Sequence, residues 1–207
     1  MLFTFNGNKP RKINYNGQQV RNVKYNGVTV WQYIDFLLTN SSRLNLPHTV
    51  NADYQIECTF NAVSYKNNGS ILGNSFSGNY SSNHFHLTMY NNRWYVSVGN
   101  SESNFSSGSF TDKHTIIFNK DNGIWFDGVK VLNYTPTNWG HNLTLGWRDG
   151  TVYTSFKLYE YKITSNSTGQ VIAHYIPTLI ESTGKAGLYD VVSGNTLSWD
   201  NASVGND

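Results

Sequence analysis

Ile124-Trp125-Phe126-Asp127-Gly128-Val129-Lys130-Val131 is the stretch whose reading decides the fold. Asp-Gly suits a tight two-residue turn, because both residues tolerate the positive φ that such a turn imposes. The flanking residues alternate so that one face of each arm can pack, the period of a half-buried strand. Working outward, similar segments recur on both sides. Upstream are Tyr54–Val63, Ser70–Gly73, His84–Tyr90, Arg93–Val98 and His114–Asn119; downstream are Asn142–Trp147, Val152–Thr164, Val171–Ile176, Ala186–Asp190 and Thr196–Trp199. Asn68-Gly69, Asn91-Asn92, Asp121-Asn122-Gly123, Asp149-Gly150 and Ser193-Gly194 separate them as turns. Val171–Ile180 alone offers a weak helical period. Asn74–Asn83 and Ser101–Ser109 are Gly/Ser/Asn-rich and read as exposed loops. This spacing of strands predicts an all-β protein, a two-sheet sandwich or jelly roll.

The first residues form a different pattern. Phe5-Asn6-Gly7, Tyr15-Asn16-Gly17 and Tyr25-Asn26-Gly27 repeat one aromatic-Asn-Gly triplet at a ten-residue period. Two turn residues plus eight strand residues make a small antiparallel meander, so residues 1–34 are read as a β-hairpin module and residues 35–207 as the sandwich. Unpaired meander edges are templates for pairing, so self-association is expected of this module.

Composition narrows the function. Charged residues are only 14% of the chain against 15% aromatic, which suits a core-forming protein with a polar but uncharged surface. A net charge of +2 without a Lys/Arg stripe argues against a nucleic-acid partner. No run reaches the ~20 apolar residues of a membrane span. Met1–Phe5 lacks a basic region and a long apolar stretch, so no signal peptide is expected and synthesis is placed in a cytoplasm. Cys58 stands alone in an alternating strand and is expected to be buried rather than nucleophilic. The Asn-x-Ser/Thr sequons, such as Asn166-Ser167-Thr168, are chance in so Asn- and Ser-rich a chain.

Residues 124–131 resemble the Tyr-Val-Asp-Gly-x-Leu-Val hairpin of laminin-G-like, concanavalin A-like jelly-roll domains. Asn142-Leu143-Thr144-Leu145-Gly146 is similar to the strand that follows in that family, and Ser155–Ile163 to the next, without the family's glycine. Val20–Trp31 and Gly184–Asn195 (Gly-Lys-Ala-Gly-Leu-Tyr-Asp-Val-Val-Ser-Gly-Asn) further resemble virion proteins of tailed bacteriophages and prophages. That resemblance implies a tail, baseplate, fibre or head-decorating component located in the virion. It also implies homo-oligomers, trimers among them, in contact with other virion proteins. A free-standing bacterial lectin or carbohydrate-binding module is the alternative.

Candidate chemistry follows from residue types. Concanavalin A-like glycosidases alternate carboxylates on one strand, as in Glu-x-Asp-x-Glu, and no such strand occurs here; sequence-distant carboxylates could still converge. No catalytic residue is assigned and no enzyme is expected. His84-x-His86 would face one side of a strand, but no third ligand lies nearby and no metal is assigned. A structural Ca²⁺, found in some laminin-G-like domains, would draw on Asp121, Asp127 and Asp149; otherwise no cofactor is expected. Sugar recognition is the favoured chemistry, a ring stacking on the sugar with amides, carboxylates or guanidinium fixing hydroxyls. Tyr134, Asn138 and Trp139 form one candidate cluster and Trp147, Arg148 and Asp149 another, facing a cell-surface polysaccharide. Trp94 and Trp125 fall mid-pattern and are expected in the core.

Overall fold

The computed structural model describes residues 13–15, 18–20, 22–25, 28–32, 36–38, 44–49, 51–64, 69–73, 85–99, 101–106, 108–134, 142–145, 147–148, 152–153, 155–180, 185–198 and 202–204. Every regular element among them is a strand. In chain order they are β1 (Ile13–Tyr15), β2 (Gln18–Val20), β3 (Asn22–Tyr25), β4 (Val28–Gln32), β5 (Phe36–Leu38), β6 (Leu44–Thr49), β7 (Tyr54–Ser64) and β8 (Gly69–Gly73). Next come β9 (Phe85–Tyr90), β10 (Arg93–Val98), β11 (Ser101–Phe105), β12 (His114–Phe118), β13 (Gly123–Phe126), β14 (Val129–Asn133) and β15 (Asn142–Leu145). The last are β16 (Trp147–Arg148), β17 (Val152–Tyr153), β18 (Ser155–Ser165), β19 (Val171–Ile180), β20 (Lys185–Asp190), β21 (Thr196–Ser198) and β22 (Ala202–Val204).

The first sheet runs β14-β13-β12-β7-β18-β19-β20-β21, with β5 sharing the far edge of β18 and β22 pairing β5. The second runs β11-β10-β9-β8-β15-β6, with the β16–β17 pair joined to β8. All ladders are antiparallel except the short contact of Tyr153 with Ser70. Asn16-Gly17 and Asn26-Gly27 are bracketed by the hairpins β1–β2 and β3–β4. Among the described residues no ladder joins one hairpin to the other; Asn6-Gly7 lies outside them.

Alternation explains the layering. Ile56, Cys58, Phe60 and Ala62 of β7, and Ile116 and Phe118 of β12, turn to the core, which Leu87, Met89, Trp94 and Val96 meet from the second sheet. Phe85 stacks edge-on against Phe118 at 4.0 Å, and Trp94 lies 5.1 Å from Phe126. Such aromatic pairs add about 0.5–1.5 kcal/mol each beyond their buried area. Cys58 is fully buried, and burial pushes its thiol well above the usual range.

Two turns take the form that joins twisted strands. Asp127 (φ 49°) and Gly128 (φ 82°) link β13 to β14; Asn91 (φ 48°) and Asn92 (φ 59°) link β9 to β10. Both central residues have positive φ, which matches the right-handed strand twist. Two sequence expectations are corrected, at Ser101–Phe105 and Trp125, and one is extended. Ser101–Phe105 is an edge strand rather than loop, because its backbone pairs β10 although only Phe105 among its side chains is apolar. The strand expected at Val171–Ile176 runs on to Ile180, and the ladders to β18 and β20 override the weak helical period. Trp125 faces outward, half-exposed, since its neighbours Ile124 and Phe126 occupy the core side. Asn74–Asn83 lies outside the described residues.

Candidate functional site

The two sheets differ in what their outer faces offer. Opposite Leu87 and Met89, the second sheet carries Ser70, His86, Thr88, Ser97 and Thr144, none more than 4% exposed. Cross-strand register puts His86 beside Ser97 and Gly73, and Gly73 beside Thr144. Thr144 Oγ1 donates to the Gly73 carbonyl at 2.9 Å. These positions are closed to solvent, and the same face opens toward the β9–β10 turn, where Tyr90 and Tyr95 lie with ring centroids 6.0 Å apart. The outer face of the first sheet is half-exposed and is the candidate surface.

Register builds this surface from four neighbouring strands and a fifth. Trp125 is opposite Ile117, Ile117 opposite Glu57, Glu57 opposite Lys162, and Lys162 opposite His174. The row thus crosses β13, β12, β7, β18 and β19. In the next row Thr115 opposes Thr59 and Thr59 opposes Glu160; the two threonine hydroxyls are 3.1 Å apart. A register shift between Leu158 and Glu160 adds a residue to β18. Tyr159 and Glu160 are therefore both half-exposed, while Tyr161 returns to the core at 1% exposure. Bulges of this kind re-aim side chains next to binding sites.

Charge on the face is paired. Lys162 Nζ lies 2.8 Å from Glu57 Oε2, and His174 Nε2 lies 2.6 Å from Glu160 Oε1. Half-exposed pairs of this type stabilise the fold by no more than about 1 kcal/mol, so they shape the surface more than they hold it. The two rings are preorganised. Trp125 Nε1 donates to the Lys120 carbonyl at 3.0 Å, and the Lys120 ammonium stands 5.0 Å from the indole centroid. The Lys113 ammonium stands 4.8 Å from the Tyr159 ring. Three strand spacings separate β13 from β18, roughly 14 Å.

The site residues expected from sequence are dispersed. Asn138, Trp139 and Asp149 lie outside the described residues. Trp147 and Arg148 form β16 in the second sheet, opposite Tyr153 and Val152. Tyr134 follows β14 at the edge of the first sheet, packed against the core. Burial pushes its hydroxyl well above the ordinary phenol range, and a hydrogen bond with the Asn119 backbone offsets part of this. Of the aspartates weighed for Ca²⁺, Asp127 is engaged: Oδ2 is 2.7 Å from His114 Nδ1 and Oδ1 accepts from Thr115 N–H at 2.8 Å. Among the described residues no three His, Cys, Asp or Glu side chains gather as a metal site. His86 is buried, and His84 lies outside the described residues.

Other motif residues have structural work. The Asp190 carboxylate accepts from His174 N–H and from the Val192 and Ser193 amides, closing the β20–β21 turn. Asp53 accepts from Ser165 Oγ at 2.6 Å and from Ser167 N–H at 2.8 Å. These donors, the Ser165 hydroxyl foremost, hold its carboxyl below the ordinary range. The sequon residue Asn166 is tied into the same knot, its Nδ2 donating to the Asn119 carbonyl at 2.9 Å.

No protein family and no curated protein matches this chain. A solved structure, the mouse laminin alpha1 chain, domains LG4-5, is similar with a TM-score of 0.50 at 14% identity over 95% of this chain. The chain spans about half of that fragment, 54% of its length. The likeness shows the fold: an all-β, laminin-G-like jelly-roll sandwich of two antiparallel sheets.

Proposed function

We propose that this chain is a non-catalytic binding module that holds an extended polysaccharide across the outer face of its first sheet. The observation that carries this is the outward pair Trp125 and Tyr159, with Glu57, Lys162, Glu160 and His174 among the polar groups of the same face. Rings supply stacking area, and the charged groups supply donors and acceptors for hydroxyls. The two rings stand on strands roughly 14 Å apart and in different cross-strand rows, a spread that suits a chain of sugars rather than a single one. A lysine over an exposed ring is worth about 0.5–1 kcal/mol, so a ligand displaces it at little cost.

Glu57 and Glu160 do converge on one face, as diagonal neighbours on β7 and β18. Glu57 nevertheless sits against the Lys162 ammonium and Glu160 against the His174 ring, so neither carboxyl stands open toward a ligand, whereas glycoside hydrolysis needs one carboxyl as a proton donor to the sugar. This supports binding without cleavage. We also propose that binding needs no cofactor, so retention on polysaccharide is expected to survive EDTA.

The particle-level reading rests on the motif resemblance at both ends of the chain. Residues 1–34 would dock the module to sister copies or to other proteins of a phage tail, baseplate, fibre or head decoration. A free-standing lectin is the second reading, and the fold is equally compatible with it.

Affinity electrophoresis against a panel of bacterial surface polysaccharides tests the proposal. Retardation of the wild type, lost in the Trp125→Ala/Tyr159→Ala double variant, is the expected result. Retardation that survives the double variant shifts the site to the residues expected from sequence, Asn138, Trp139 and Trp147–Asp149. No retardation by any polysaccharide removes the glycan reading. Removal of residues 1–34 separates the two settings: a virion part loses its oligomeric state by light scattering, and a free lectin keeps both mass and binding.

A further inference from the structure

His114 is 2% exposed, and both of its ring nitrogens face acceptors. Nε2 lies 2.8 Å from the Ser109 carbonyl oxygen, which can only accept. Nδ1 lies 2.7 Å from Oδ2 of Asp127. That side chain is 32% exposed and takes the Thr115 N–H on its other oxygen, the setting of an ionised carboxylate. A neutral imidazole has one N–H and would leave one of these acceptors facing a bare nitrogen. Only the ring with two N–H groups satisfies both.

The surroundings favour that cation. Phe126 and Trp94 lie with ring centroids 5.0 and 5.2 Å from the imidazole, within the distance at which an aromatic ring stabilises a positive charge, and Phe60 lies just beyond at 6.2 Å. The charged groups beside it are Asp127 on the β13–β14 turn and Asp112 in its own loop. An added Cβ at Gly108 would meet both Asp112 Oδ2 at 3.2 Å and His114 Cε1 at 3.6 Å, so the carboxylate and the ring edge border one spot. β7, β10 and β13 turn Phe60, Trp94 and Phe126 toward the ring.

The loop held by this ring leads to the proposed binding face. The Ser109 carbonyl also accepts from Asp112 N–H at 2.9 Å, and Asp112 Oδ2 accepts from Ser109 N–H at 3.1 Å. One residue further, Lys113 stands over Tyr159. We propose that His114 is a buried imidazolium clasp between the Ser109–Asp112 loop and the Asp127 turn, and that its proton fixes where Lys113 meets Tyr159. The second half rests on the reading of that face as the ligand surface; the first half does not.

The full chain labelled with ¹⁵N in its histidine rings decides the matter. At pH 7 both His114 nitrogens are expected to show the protonated imidazolium shift, with the resonance assigned by its absence in His114→Gln. A bare ring nitrogen at His114 overturns the proposal. If His114→Gln does not fold, Asp127→Asn gives the assignment and is expected to return the ring to a single N–H; a ring unchanged in that variant also overturns it. Amide exchange at residues 109–113 is expected to quicken at least about tenfold when the clasp is lost, and unchanged exchange refutes the control of Lys113. None of these readouts involves polysaccharide, so failure of the glycan reading leaves them intact.

Discussion

Replacing Asp190 is the sharpest test of how the C-terminal motif works. The residue is 3% exposed, and its Oδ1 accepts from His174 N–H at 2.9 Å and Val192 N–H at 3.1 Å. Oδ2 accepts from Ser193 N–H at 3.3 Å and Ser193 Oγ at 2.6 Å. Burial by itself would raise this carboxyl; the donors, His174 N–H first among them, outweigh burial and hold it below the usual carboxylate range. Hydrogen bonds to a charged group contribute about 1.5–3 kcal/mol, but four on one residue do not add. Val192 and Ser193 are exposed residues and His174 lies within a ladder, so water replaces the carboxylate more easily at the two turn amides and most of the loss in Asp190→Ala falls on His174 N–H. A cost of about 2–3 kcal/mol follows, or roughly 4–12 °C in Tm at roughly 2–4 °C per kcal/mol. Asp190→Asn keeps one acceptor but sets an NH₂ against Ser193 N–H, for about half that cost. Because the folded carboxyl is depressed, its stabilisation is complete above about pH 3.9, where the unfolded group ionises, and is lost as pH falls through the folded value. Thermal melts followed by circular dichroism should therefore show a constant lead of wild type over Asp190→Asn between pH 6 and 8 that narrows toward pH 3. Melting of Asp190→Ala within about 1 °C of wild type at pH 7, or a lead unchanged at pH 3, would refute the reasoning.

Three other substitutions or treatments have definite expectations. Trp94 is fully buried and its indole N–H has no acceptor, so Trp94→Phe should cost under about 1.5 kcal/mol in urea denaturation while Trp94→Ala costs about 3–5 kcal/mol. Cys58 should resist a thiol reagent in the native state and react once per chain in denaturant; native labelling at the denatured rate would contradict its burial. Gly123→Ala would bring a Cβ within 2.2 Å of Lys130 Cε and 2.8 Å of the Leu132 carbonyl. The lysine can move and the carbonyl cannot, so a loss of more than about 1 kcal/mol is expected by the same denaturation assay.

Most of the sandwich was legible because its strands alternate and its turns are spelled in Asp, Asn and Gly. The Asp127-Gly128 hairpin is the clearest case: two residues with positive φ were readable, although the grip of Asp127 on His114 and Thr115 was not. Where the chain departs from alternation, the reading weakens for a stated reason. Ser101–Phe105 has only Phe105 to announce it, since an edge strand beside β10 is held mainly by backbone pairing. Val171–Ile180 carries a mixed period, and the ladders on both of its sides decide its conformation. The Gly-Leu-Tyr-Asp motif drew attention by resemblance, and its aspartate proves to be a turn closure.

The candidate face was the least legible part, and register explains why. Glu57, Lys162 and His174 stand side by side only because β7, β18 and β19 pair at one offset; a slip of one residue in any of these strands would send its member to the other face. Strict alternation from Phe156 would point Glu160 into the core and Tyr161 outward. The extra residue between Leu158 and Glu160 reverses this, burying Tyr161 and leaving Tyr159 and Glu160 on the surface. A carboxylate in that core would have to be desolvated beside Cys58, and an outward Tyr161 would leave a ring-sized void there. Those two costs select the bulge over the regular ladder. The same local choice that protects the core therefore brings Glu160 onto the face beside Tyr159, where it meets His174.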